Sequence, residues 1–275
     1  MLIGITIDRL DYLDQQIACI SKIDNPLWVR YVIDVPDGTP FKYNEWYDSL
    51  PGYVAAEARF SHALKAHSQF MVQPCDSFYI KHLTVGDYER IFRELVDLFA
   101  FADSFEVLNE GGGDWLGDDE SVLQKLTLAT NIVRAKGKKT HLCLYFENPT
   151  TVEDIPNSSM MKFANKIPHT VREGIDSVGI SYYPQDNSGQ NLLMSERLAI
   201  FEGLQKLFPM ATLANSEFGF SDTTHVKDSD ITRVCLQNWK RTFPETIPYL
   251  GANFWNFSEF AVSGRSDCML AALKP

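Results

Sequence analysis

FEVLNEGGGDW (105–115) is the stretch on which the fold turns. An apolar run carries into Asn109-Glu110 and breaks on three glycines, the form of a buried strand opening into a loop. TLANSEFGF (212–220) repeats that form, its strand TLANSE (212–217) ending on Glu217 as FEVLNE (105–110) ends on Glu110. Outward from these two, similar runs recur at LIGITID (2–8), WVRYVID (28–34), QFMVQPCD (69–76), THLCLYFE (140–147), SVGISYY (177–183) and LGANFWNF (250–257). That makes eight strands. Between them, apolar residues fall at three- and four-residue steps with charges opposite, most clearly over 85–102, 120–136 and 194–208. Gly137 and Pro209 stand where the last two of these helices should stop.

Strand ends recur about every 26–42 residues, the scale of a βα unit. The reading is α/β, a single (β/α)8 TIM barrel, with residues 1–275 as one catalytic domain. An open doubly wound sheet is the alternative; it needs fewer strands and a Gly-rich phosphate loop that the chain lacks. No Gly/Ser/Pro tract, charge block or internal repeat divides the chain. VPDGTPFKYNEWYDSLPGYV (35–54) is the longest turn-rich stretch and reads as a loop after the second strand, on the face where barrel strands end.

With 45% hydrophobic residues the chain can bury a full-sized core. Its formal charge of −11 argues against nucleic acid and polyanionic substrates, which need clustered Lys and Arg. Neutral sugars are not excluded, because hydrogen bonds and aromatic stacking hold them. The five cysteines (Cys19, Cys75, Cys143, Cys235, Cys268) are odd in number and widely spread, so they read as reduced thiols. No run approaches the ~18 apolar residues of a membrane span. The N-terminus carries no basic, apolar leader, so the expected location is cytoplasmic, or secreted if a signal has been removed.

Two carboxyl groups facing each other across a glycosidic bond can hydrolyse it, one protonating the leaving oxygen and the other attacking. Glu110 and Glu217 end non-adjacent strands, and in a barrel those ends share one face. Small neighbours (Gly111, Gly112, Gly113; Ser216, Gly219) would let a sugar ring come close. The plain alternative for each glutamate alone is a solvated loop carboxylate or an arginine partner.

FEVLNE resembles the Y-E-I-x-N-E signature of the fourth strand in clan A retaining glycoside hydrolases, such as family 5 cellulases and mannanases. The resemblance implies that Glu110 is the acid/base, Asn109 binds the sugar 2-hydroxyl, and Glu217 is the nucleophile. SYYP (181–184) is similar to the sixth strand of family 53 galactanases and would bring Tyr183 to the nucleophile. NFWNF (253–257) resembles the eighth strand, whose tryptophan, here Trp255, floors the subsite beside the cleaved bond. Arg30 matches the clan's second-strand arginine, which orients the nucleophile. The segment from Asp76 to Trp115 is also similar to uncharacterised bacterial barrel proteins with EVGNEVNGEWLG-like motifs. Two departures are plain: glycines follow Asn109-Glu110 where family 5 commonly has proline, and Ser181 stands where that family usually has histidine.

Among the aromatics, Trp46, Tyr47, Trp115, Tyr145, Tyr182 and Trp255 fall at strand ends or in active-face loops. Of these, Trp46, Trp115 and Trp255 are the substrate-binding candidates; period-two alternation turns Tyr182 away from Tyr183. Asp8, Asp34, Asp76 and Glu147 also end strands and read as polar rim, with Asp34 a possible ion-pair partner for Arg30. The six histidines show neither HxH nor HExxH spacing, so no metal is implied. No lysine ends a strand as a Schiff-base candidate, there is no GxSxG elbow, and no cofactor is implied. The expected function is hydrolysis of β-linked neutral oligo- or polysaccharides, with no nucleic-acid or membrane partner. A barrel that binds glycan without cutting it, or a lyase or isomerase using the same carboxylates, is the alternative.

Overall fold

The structure, a computed structural model, describes residues 1–33, 41–147, 151–187, 189 and 191–273. Eight parallel strands close into a barrel in sequence order: β1 (Leu2–Ile7), β2 (Leu27–Val32), β3 (Gln69–Gln73), β4 (Ser104–Gly111), β5 (Lys139–Tyr145), β6 (Ser177–Tyr182), β7 (Thr212–Phe218) and β8 (Tyr249–Phe254). β8 pairs back onto β1, with Leu2 opposite Gly251 and Ile5 opposite Phe254. The eight predicted strands and their closure are therefore observed, with ends shifted by up to three residues.

Helices cover the outside. Those at Val85–Leu98, Asp119–Ala135 and Met194–Leu207 match the predicted periodic segments. The first starts with a capping box, Thr84 accepting from the Asp87 N–H while Asp87 accepts from the Thr84 N–H. The main apolar core lies between the strands and these helices, where Val107, Leu126, Ile180 and Phe201 are fully buried.

Of the predicted loop at 35–54, residues 35–40 lie outside the described residues and the part from Tyr43 onward needs correction. A helix runs from Tyr43 to Ala63 through Pro51, and Trp46, Leu50, Tyr53, Ala56 and Phe60 form its buried side. Those positions recur at three- and four-residue steps, a helical stripe obscured by the Pro51-Gly52 pair. Trp46 is accordingly a core residue, fully buried against Phe41 and Tyr43, with no surface to offer a substrate. Asp34, the suggested partner of Arg30, lies outside the described residues. Among the described residues no helix is long and apolar enough to cross a membrane.

Inside the barrel, Trp28, Met71 and Ala214 pack with Leu2 and Leu250 near the strands' N-terminal ends. Above this plug the filling is polar. Fully buried His141 bonds Ser177 Oγ and Ser216 Oγ, each at 2.7 Å. Burial, aided by Arg30, pushes its pKa down to about 3, so the imidazole is neutral.

Candidate active site

Two interruptions of strand pairing build the mouth of the barrel. On β4 the register with β5 shifts between Glu106 and Leu108 and again between Leu108 and Gly111. Val107 and Leu108 consequently both join the outer core, while Asn109 and Glu110 both reach the cavity. Glu110 has a φ of 53°, in the left-handed region a non-glycine residue seldom occupies. On β7, Ile180 pairs with Asn215 but Ser181 pairs with Glu217, so Ser216 is the extra residue. Ser216 then meets His141 inside the barrel and Glu217 also points inward. Bulges at a barrel rim re-aim side chains in this way. Without them, strict alternation would turn Asn109 away from Glu110.

The two carboxyl groups have unlike surroundings. Glu217 forms an ion pair with Arg30 Nη2 at 2.5 Å and accepts from Asn109 Nδ2 at 3.0 Å and the Tyr183 hydroxyl at 2.8 Å. Among the described residues Glu110 bonds only hydroxyls, Ser77 Oγ and Ser181 Oγ, both at 2.6 Å. Burial first, and then the negative Glu217, push the Glu110 carboxyl up to about 8, against the opposing pull of those hydroxyls. Burial and the neighbouring carboxylates likewise carry the Tyr183 hydroxyl well above its usual range, so it stays a donor.

Among the described residues Arg30 is the one buried cation beside this pair, and it is shared. Its Nε and Nη2 grip Glu106, each contact 2.7 Å, while Nη2 also reaches Glu217. Burial works against the guanidinium charge, but Glu106 and then Glu217 outweigh it. Burial also raises the Glu106 carboxyl, with Arg30 pulling the other way. Glu106, Cys143 and Glu217 offer ligand atoms within 4.8 Å of one another, a spacing a metal could use. The Arg30 guanidinium already bridges both of those carboxylates.

A cavity of ≈ 750 Å³ opens over the pair. Trp255, Trp115 and Tyr145 line it beside the carboxyls, with the exposed Phe78 and half-buried Phe220 farther out. Trp115 donates from Nε1 to Ser77 Oγ at 3.1 Å and meets the Tyr145 ring edge-on, centroids 4.6 Å apart. The Arg30 guanidinium carbon lies 5.5 Å from the Trp255 ring centre. Asp76, Asp186 and Glu259 add acidic groups to the wall, and no lysine or arginine lines it among the described residues.

Of the residues singled out in the sequence, Glu110, Glu217, Asn109, Arg30, Tyr183, Trp255 and Trp115 gather around this cavity or directly behind its carboxyls. Trp46 does not, and Tyr182 is buried in the outer core. Asp76 lines the cavity and caps the short helix after β3 through the Phe78 N–H, whereas Glu147 is exposed. The glycine triplet serves packing rather than substrate approach. A Cβ at Gly111 would meet the Phe163 ring at 2.7 Å, and one at Gly113 the Trp115 ring at 2.7 Å. Sequence reasoning missed Ser77 and Glu106, and took Ser181 only as a departure from the family 5 histidine. Glu106 had a signal, since a charged residue inside an otherwise apolar strand demands a buried partner.

No family model matches the chain, and neither does any curated protein. Solved structures do match it in fold. The family 1 β-glucosidase from Thermotoga maritima superposes with a TM-score of 0.59 at 13% identity, covering 90% of this chain and 77% of that one. The hyperthermophilic β-glucosidase from Pyrococcus furiosus gives 0.60 at 9% identity, covering 96% and 87%. The AHE enzyme from Alicyclobacillus herbarius gives 0.55 at 13%, covering 78% and 68%. At such identities the likeness is one of fold: the chain is a (β/α)8 barrel of the architecture those enzymes use.

Proposed function

We propose that the chain is a retaining glycoside hydrolase acting on β-linked neutral glycans, with Glu110 as acid/base and Glu217 as nucleophile. The observation that carries this reading is the meeting of two strand-end carboxyls, in unlike surroundings, at one hydroxyl. Ser181 Oγ lies 2.6 Å from Glu110 Oε1 and 3.3 Å from Glu217 Oε2. Those contacts together bound the gap between the two oxygens at about 5.9 Å. Inversion needs carboxyls ~6.5 Å or more apart, to admit a water, so the spacing favours direct attack.

The chemistry follows from the donors. In the first step a Glu217 oxygen bonds the anomeric carbon as the bond to the leaving oxygen breaks, and that oxygen takes the Glu110 proton. In the second, a water oxygen bonds the anomeric carbon, its proton passes to Glu110, and the ester bond to Glu217 breaks. Arg30, Asn109 and Tyr183 hold Glu217 in place. Trp255 and Trp115 offer faces to the sugar's C–H groups, and the acidic wall disfavours anionic sugars.

A panel of 4-nitrophenyl β-glycosides tests the reading, with ¹H NMR following the anomer first released. Release of the β-anomer from at least one substrate is expected. First release of the α-anomer, or no turnover on the panel and on natural β-glycans, would overturn it.

A further inference from the structure

Ser181 is fully buried at the end of β6, and its single hydroxyl is the only side chain among the described hydrogen bonds to touch both carboxyls. A hydroxyl has one hydrogen to donate and can accept as well. Among the described residues Glu217 has two other hydrogen-bond donors and the Arg30 charge, whereas Glu110 has only Ser77 besides. We propose that Ser181 is a positioning residue that turns its one hydrogen from Glu217 to Glu110 as the reaction proceeds, so that each carboxyl changes role in step with the other.

In the resting site the Glu110 proton points to Ser181 Oγ, and the Ser181 hydrogen points to Glu217. When Glu217 becomes an ester its oxygen is neutral and a weaker acceptor. The Ser181 hydrogen then turns to Glu110, now a carboxylate, and stabilises the form that will take a proton from water. The second half of this cycle rests on the retaining reading above; the first half is a property of the unliganded site. Charged and titratable groups face Glu110 or share its cavity: Glu217 on β7, Asp76 after β3, Cys143 and Tyr145 on β5, Tyr183 and Asp186 after β6, and Glu259 after β8, with Arg30 on β2 behind Glu217. Their fields are shared by all Ser181 variants, so a difference between variants reports the hydroxyl.

Counting bonds predicts a change of sign. With Glu217 ionised, removing the hydroxyl takes two hydrogen bonds from the state with Glu110 protonated and one from the state with both ionised. With residue 217 neutral, either state of Glu110 loses a bond to the hydroxyl, and the charge-assisted bond to ionised Glu110 is the stronger of the two. The test is a ¹³C NMR titration of the Glu110 carboxyl in the full-length chain, its resonance assigned with Glu110→Gln. In the wild-type background Ser181→Ala should move the midpoint down by roughly half to one pH unit. In the Glu217→Gln background the same change should move it up by a similar amount. Ser181→Thr, which keeps the hydroxyl, should leave both midpoints in place and guards against a packing defect. Shifts of one sign in both backgrounds, or no shift in either, would overturn the assignment. The titration needs no turnover, so a sign reversal in a chain inert toward every glycoside would uphold the hydrogen transfer and overturn the hydrolase reading.

Discussion

Removing Arg30 should damage this protein more than removing its buried partner Glu106, and the structure sets the size of each loss. Both side chains are fully buried, with paired contacts of 2.7 Å between them and a further contact from Arg30 to Glu217. Taking one member from a buried pair costs ~3–5 kcal/mol, because it leaves an uncompensated charge out of water. Glu106→Gln leaves the guanidinium paired with Glu217, so its cost belongs near the lower end, about 3 kcal/mol. Arg30→Met strands two buried carboxylates and belongs at the upper end, about 5 kcal/mol. At roughly 2–4 °C per kcal/mol for a chain of this size, melting points should fall by about 6–12 °C and 10–20 °C. The Glu106 carboxyl is raised by burial even with Arg30 beside it, and without Arg30 it rises further. A carboxyl raised in the folded state adds stability below its unfolded pKa and loses it as pH rises through the folded one. The Arg30→Met deficit against wild type should therefore be smaller at pH 5 than at pH 8. Urea unfolding followed by tryptophan fluorescence at both pH values measures it. An Arg30→Met cost below about 1 kcal/mol at pH 8, or a larger cost for Glu106→Gln, would refute the picture of a shared buried cation.

Other outcomes follow from the same geometry. Because Glu110 must carry its proton to act as an acid, kcat/KM should fall as pH rises through about 8; Glu110→Gln, assayed on an aryl glycoside with an activated leaving group, should lose that limb. Tyr183→Phe removes a 2.8 Å bond to Glu217, and a bond to a charged group is worth ~1.5–3 kcal/mol, so kcat/KM should drop roughly 10- to 100-fold; a change under twofold would deny Tyr183 its role. Trp46→Ala should cost ~3–5 kcal/mol of stability as a core truncation and leave KM nearly unchanged. Trp255→Ala should do the reverse, weakening kcat/KM by about tenfold with little effect on unfolding. Equal kinetic effects from the two would contradict their placement.

The barrel was legible because its physics is local and repeated. Eight apolar runs, separated by helical periodicity and broken by Gly and Pro, leave little choice of architecture. Glu110 and Glu217 were legible for a related reason: a carboxylate that ends a buried strand opens onto the common face. Their aim was not. Strict alternation cannot place Asn109 and Glu110 in one cavity, and the register shifts in β4 and β7 that do so carry no residue signature. Ser77 is small and unremarkable in sequence, Ser181 stands out only as a departure from a family pattern, and only the closure of the barrel brings them to the carboxyls. Trp46 was misread because Pro51-Gly52 looked like a turn, although Trp46, Leu50, Tyr53 and Phe60 spell the buried stripe of the helix that carries it.

The division of labour between Glu110 and Glu217 is tested most directly by chemical rescue. Glu217→Ala should abolish hydrolysis of an activated aryl β-glycoside, and added azide should restore turnover with an α-glycosyl azide as product, because a small anion can attack from the face the carboxylate has left. A β-glycosyl azide, or rescue of this kind in Glu110→Ala and not in Glu217→Ala, would contradict the assignment.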